Sequence, residues 1–254
     1  MRPVPVIDHI LSTPALWRGR QVNSEGHRVV RSGWPMLDAL LPGGGWPLGS
    51  LIEVGIPAPG SGECALFLPL WVDPPARIDA TSKPASPGAG TSRAPSRRTK
   101  PLPAAATQKL VTLIDPPFLP YAPGWQQRGV ALSRLWWVRA QSERQRLWAA
   151  EQSLRSGICA AVMLWPQDIE GNALRRLQLA AESSDALGLC FRPEAELAHA
   201  SHAPIRLHLR PGAACWDIEL IKCRGRTGGA RLRIPHPSSS PPPLPAATRA
   251  QESA

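Results

Sequence analysis

The chain has 254 residues, with 29 Lys+Arg against 19 Asp+Glu and a formal net charge of +10. Thirteen of its 30 prolines fall in two stretches, 74–108 and 235–254. Setting these aside leaves about 200 residues, the size of one α/β domain. Hydrophobic residues make up 43% of the chain, enough for a real core. No apolar run approaches the ~18 residues of a membrane helix. Arg2 is not followed by an apolar stretch with a small-residue cleavage site, so no secretory leader is expected. The expectation is a cytoplasmic protein with no membrane contact. The five cysteines, Cys64, Cys159, Cys190, Cys215 and Cys223, are odd in number and form no CxxC pair. They read as reduced core residues, with neither a disulfide framework nor a metal site.

In chain order, residues 1–31 read as an N-terminal helical segment and 32–234 as the core domain. Leu51–Val54 is a short apolar strand, and 63–71 reads as a buried helix. Residues 74–108, rich in Pro, Ala, Ser, Thr and Arg, show no periodicity of 2 or 3.6. Such a stretch buries too little apolar surface to offset its ordering entropy, so a disordered insertion is expected. Leu110–Ile114 and Leu135–Val138 read as strands. In the second, Trp136 and Trp137 must face opposite sides, which puts one of them in the core. Residues 142–155 carry Leu147, Ala150 and Leu154 at helical spacing, with Ser142 as N-cap and Gly157 just past the end. The continuous apolar run 159–165 fits a strand buried on both faces. Residues 169–184 are helical with Leu174, Leu177 and Ala181 inward, and Leu187–Phe191 is another strand. Helices then stop. Ile205–Leu209, Trp216–Lys222 and Arg231–Ile234 alternate inward and outward, the pattern of an antiparallel extension. The tail from Pro235, with its Ser and Pro runs, reads as disordered. The fold class is therefore α/β: a mainly parallel sheet flanked by helices, with antiparallel strands at its C-terminal edge.

Positive charge gathers at 77–100 and again at Lys222, Arg224, Arg226, Arg231 and Arg233. Such clusters bind nucleic acid weakly and with strong salt dependence; a plain solvated surface is the competing reading. Lys222, Arg224 and Arg226 lie in a glycine-rich turn and are candidates for DNA or partner contact. Tyr121 and Trp125, in the proline-rich segment Pro117–Trp125, suit a rigid aromatic contact loop, with a cover for the sheet edge as the alternative. Trp148 stands one position off the stripe of its helix, placed for a partner. Most of the ten tryptophans read as packing residues. The six histidines show no metal-ligand spacing.

Residues 32–71 run short helix, glycine-rich turn, strand, second glycine-rich loop, helix. "SGWPMLDALLPGGGWPLGSLIEV" followed by "GIPAPGSGE" resembles the RecA-type ATPase core around its phosphate loop. A working loop reads G-x-x-x-x-G-K-[ST]: backbone amides cradle phosphates, the lysine reaches the outer phosphates, and the hydroxyl holds magnesium. Here Gly60, Ser61 and Gly62 are followed by Glu63 and Cys64. A carboxylate about 4 Å from a phosphate charge, at an effective dielectric of about 20, repels it by about 4 kcal/mol. Pro57 and Pro59 remove two amides from the cradle. The resemblance places Pro117 where a catalytic glutamate would stand, beyond the single acid Asp115, and Trp165 where a magnesium-side aspartate would end its strand. Gly60 to Cys64 thus mark a degenerate nucleotide site. The expectation is no catalytic residue, no cofactor and no enzyme activity.

Further segments narrow the resemblance: "WRGR", "PPFLPYAPGW", "LSRLWWVRA", "LWAAEQSLRSGICAAVMLWP" and "LRRLQLAAESSDALGLCFRP". Together they resemble the ImuA family, RecA-like proteins associated with translesion DNA synthesis in bacterial SOS mutagenesis, across most of 15–73 and 110–235. The resemblance implies a non-catalytic component that joins the nucleoid on DNA damage. Its implied partners are an ImuB-like Y-family polymerase homologue, an error-prone replicative-type DNA polymerase and RecA, with weak DNA binding and self-association. The alternatives are a division inhibitor resembling SulA, which shares the distant fold, and a degenerate RecA-type ATPase.

Overall fold

The computed structural model describes residues 28–72, the backbone of 77–79, and residues 109–224 and 228–236. Two sheets organise them. A small antiparallel sheet joins β1 (Arg28–Val30), β2 (Trp46–Pro47) and β4 (Arg77–Asp79), with β1 in the centre. Residues 28–30, expected in a helical segment, are therefore strand; residues 1–27 lie outside the described residues. Likewise Arg77–Asp79, expected within a disordered insertion, pairs with β1, and the remainder of 74–108 lies outside the described residues.

The main sheet has eight strands in the order β11-β10-β9-β3-β8-β7-β5-β6. These are β3 (Leu51–Ile56), β5 (Leu110–Ile114), β6 (Leu135–Val138), β7 (Cys159–Leu164), β8 (Leu187–Pro193), β9 (Ile205–Pro211), β10 (Cys215–Cys223) and β11 (Ala230–Pro235). From β9 through β3 to β6 every neighbouring pair is parallel, and β10 and β11 add antiparallel strands at one edge. The mainly parallel sheet with an antiparallel C-terminal edge is what the sequence pattern predicts. β9 differs: it runs parallel to β3 and antiparallel to β10, so the antiparallel part begins one strand later.

Side-chain alternation on β3 divides the core. Ile52, Val54 and Ile56 point into a cluster with Leu66, Phe67, Leu70 and Trp71, which come from α2 (Glu63–Leu66), the link after it, and α3 (Pro69–Val72). α1 (Pro35–Asp38) adds Leu37 to the same face. Leu51 points the other way, into a cluster with Ala150 and Leu154 of α5 (Glu143–Arg155) and Leu174, Leu177 and Ala181 of α6 (Gly171–Glu182). β7 and β8 contribute to both clusters, as strands buried on both faces must. The helix expected over 63–71 is broken into α2 and α3. Pro69 has no N–H, and its ring would crowd the carbonyl one turn back, so one continuous helix is excluded. Ser142 caps α5 by accepting from the Gln145 amide at 3.3 Å, and Gly157 ends it at φ 73°. On the outer face of the β10–β11 hairpin, Arg233 meets Asp217 at 2.7 Å and Arg231 meets Glu219 at 3.0 Å. Both pairs are register partners.

Trp136 and Trp137 correct an expectation. Neither is in the core; they are 51% and 43% exposed. β6 is the last strand of the sheet, and among the described residues nothing covers either of its faces fully. Among the described residues no helix is long and apolar enough to cross a membrane.

Candidate functional site

The loop between β3 and α2 leaves the centre of the sheet, where parallel strands open a crevice at their carboxyl ends. Its conformation depends on two glycines. Gly60 and Gly62 sit at φ 88° and 90°, the left-handed region that disfavours side chains. Gly62 has a second constraint: a Cβ there would lie 2.4 Å from Nε1 of Trp216. That indole, buried on β10, donates to the Ser61 carbonyl at 3.1 Å. The Ser61 hydroxyl donates back to the Ala58 carbonyl at 2.5 Å. Trp216 therefore clamps the loop from a strand 155 residues away.

Glu63 turns back into this loop. It is 3% exposed. Its Oε1 accepts from the Gly60 amide at 3.0 Å and from the Trp165 indole N–H at 3.2 Å. Two positions that the sequence marks as departures from a nucleotide site, 63 and 165, thus bond to each other, although 102 residues separate them. Trp165 is held in turn by stacking on Phe191, ring centroids 5.0 Å apart. The second carboxylate oxygen, Oε2, is buried without a partner. A protein anion therefore takes the Gly60 amide, of the kind that phosphate loops direct at phosphate.

The neighbouring groups supply little chemistry. Burial, and then the adjacent Glu63 carboxylate, push the Cys64 thiol well above its ordinary range, so it stays protonated and is a poor nucleophile and metal ligand. Asp115, just past β5 with φ 44°, is bound by Arg146, whose Nε reaches Oδ2 at 3.2 Å. No group of three or more His, Cys, Asp or Glu suited to a metal occurs among the described residues.

Two clefts adjoin beside the loop and share Ala65 and Arg128. One, about 510 Å³, runs along Gly60–Gly62 to Trp216 and His236. The other, about 260 Å³, is lined by Cys64, Leu68, Tyr121, Gly124 and Trp125. Tyr121 stands exposed at its rim, and Trp125 stacks on Trp71 with centroids 5.0 Å apart. Tyr121 and Trp125 are thus brought beside the glycine loop, just before and on α4 (Ala122–Gln127).

The remaining candidates lie elsewhere. Trp148, 61% exposed on α5, lines neither cleft. Lys222 donates to the Ser201 carbonyl at 2.9 Å; partial burial, then Arg206, lower its pKa from the ordinary lysine value. Arg224 is exposed, and Arg226 lies outside the described residues. With Arg231 and Arg233 paired across the hairpin, this basic group is partly neutralised in place.

Three participants escape sequence reasoning. Trp216 and Arg128 reach the loop only through tertiary packing. The third is Glu53, fully buried in mid-β3, which receives Arg192 Nη1 at 2.8 Å and Arg206 Nε at 2.9 Å. Arg192 also meets Glu196 at 2.7 Å, and His208 beside it bonds Glu194 at 2.5 Å. An acid inside the run Leu51–Val54 was the available signal, since a buried charge needs partners.

No family model matches the chain, and no curated protein matches it. Among solved structures it is similar to SulA from Pseudomonas aeruginosa, at 17% identity and a TM-score of 0.38. That match covers 56% of this chain and 97% of the other.

Proposed function

We propose that this chain is a non-catalytic adaptor of damage-induced translesion DNA synthesis. It acts beside an ImuB-like Y-family polymerase homologue and an error-prone replicative-type polymerase, with RecA as a further partner. The motif resemblance to the ImuA family supports the setting. The observation that carries the non-catalytic part is the Glu63 carboxylate, buried on the Gly60 amide and the Trp165 indole. A nucleotide phosphate entering there would have to displace a bonded carboxylate and meet its charge. Work in this reading is done by surfaces: the aromatic rim at Tyr121, Trp148 on α5, and unpaired basic residues that add weak, salt-sensitive DNA affinity.

The test is co-expression with the ImuB-like polymerase from the same bacterial source, affinity purification, and measurement of damage-induced mutation in a strain lacking the chain. The reading predicts co-elution and restored mutation, with Glu63→Ala restoring it as well as the parent. Absence of co-elution together with an unchanged mutation frequency would overturn it. Filamentation on overexpression, with division-tubulin polymerisation blocked in vitro, would assign the chain to the rival class of division inhibitor.

A further inference from the structure

We infer that the free edge at β6 is a docking edge for an extended, apolar segment of another protein whose flanks are acidic. Among the described residues β6 pairs with β5 alone and ends the eight-stranded sheet. Its residues, Leu-Trp-Trp-Val, are strand formers and include no proline or charge, the devices that commonly blunt such an edge. An unpaired edge of this kind templates an added strand, with backbone bonds giving affinity and side chains giving choice.

The aromatic side chains fit that use. Trp136 lies opposite Thr112 and Trp137 opposite Leu113 in the β5–β6 register. Leu113 belongs to the cluster under α2 and α3, while Thr112 bonds Cys159 of the cluster under α5 and α6. One indole therefore stands on each face of the edge, and an added strand would run between them. Seven of the eleven large apolar residues exposed by the described chain lie between 118 and 148. Two of these seven, Trp136 and Trp137, stand on β6 itself. The opposite edge, β11, instead presents Arg231 and Arg233 paired to carboxylates.

Charge selects the occupant. The first carboxylate on each side of β6 in sequence, Asp115 before it and Glu143 after it, is held by Arg146. Arg139 lies over the Trp137 ring at 5.4 Å, and neither it nor exposed Arg144 has a carboxylate partner among the described residues. Acidic flanks on an incoming strand complete this arrangement. A second copy does not: antiparallel pairing centred between Trp136 and Trp137 sets Arg134 of one chain against Arg139 of the other, a repulsive cross-strand pair. A net charge of +10 opposes self-pairing further.

This deepens the adaptor reading by naming a surface and the chemistry of what fits it. The experiment uses the isolated full chain, so its failure leaves the cellular role standing, and failure of that role leaves the experiment meaningful. Fluorescence anisotropy is read with two labelled peptides, Asp-Glu-Val-Thr-Val-Ile-Glu-Asp and Lys-Lys-Val-Thr-Val-Ile-Lys-Lys. The acidic peptide is expected to bind at least about tenfold more tightly at low salt, with the gap closing at high salt. Trp136→Ser with Trp137→Ser weakens it by about tenfold or more. Arg139→Glu with Arg144→Glu reverses the preference, a gain of Lys-peptide binding that misfolding cannot produce. Equal binding of both peptides, binding of neither, or no response to the tryptophan changes would overturn the inference. So would concentration-dependent self-association in sedimentation that the tryptophan changes abolish, which would assign the edge to a second copy.

Discussion

Two glutamates ten residues apart are both buried, and the chain treats them differently. Glu53, at 0% exposure, lies between two arginines that supply formal positive charge at 2.8 and 2.9 Å. Glu63, at 3% exposure, receives only neutral N–H groups and keeps an oxygen without a partner. The first is a closed cluster that joins β3, β8 and β9 at mid-sheet. The second begins α2, directly after the glycine loop. Burial alone therefore does not mark a glutamate as structural; its partners do.

The same substitution at both positions sharpens this contrast. Glu53→Gln leaves buried Arg206 without a carboxylate partner and Arg192 with Glu196 alone, and is expected to cost about 3–5 kcal/mol of unfolding free energy. Glu63→Gln keeps an oxygen acceptor for Gly60 and Trp165. Its expected effect is below about 1 kcal/mol in either direction. Urea denaturation of the two variants checks both values, and equal losses would break the contrast. Between them in size comes Gly62→Ala, expected to cost about 1–3 kcal/mol from its positive φ and the Trp216 clash. Shortening Trp216 to Leu should relieve the steric part of that cost, which a double-mutant cycle reads directly.

A smaller effect concerns the buried thiols. Burial is the leading cause that pushes Cys190 above its ordinary value of 9.0, with Glu53 adding to it, and Cys64 is raised in the same direction. A thiol raised in the folded state contributes stability that is present below pH 9.0. That stability is lost as pH rises further, because only the unfolded chain then releases the proton. Each thiol is expected to cost up to about 1.4 kcal/mol per pH unit above that value. Denaturation midpoints at pH 7 and pH 10, with Cys190→Ala as the control, check the sign.

The parallel core was legible because apolar runs such as 159–165 and 187–191 leave no alternative to burial on two faces. Ser142 and Gly157 announced the limits of α5 through local capping chemistry. Other features depend on position in the sheet, which local pattern does not encode. One of Trp136 and Trp137 looks like a core residue until β6 proves to be the edge. Arg28–Val30 becomes a strand only because β2 and β4 flank it. At the site, the unusual residues 63 and 165 were visible in the sequence. Their hydrogen bond, and the Trp216 clamp on Ser61, arise from contacts more than 100 residues apart.

The most direct test of the closed loop is calorimetric titration of the purified chain with ATP and magnesium, paired with an assay of phosphate release. The account predicts neither binding heat at millimolar nucleotide nor turnover above buffer. Magnesium-dependent ATP cleavage by the parent chain, lost on Gly62→Ala with the fold intact by circular dichroism, would contradict it.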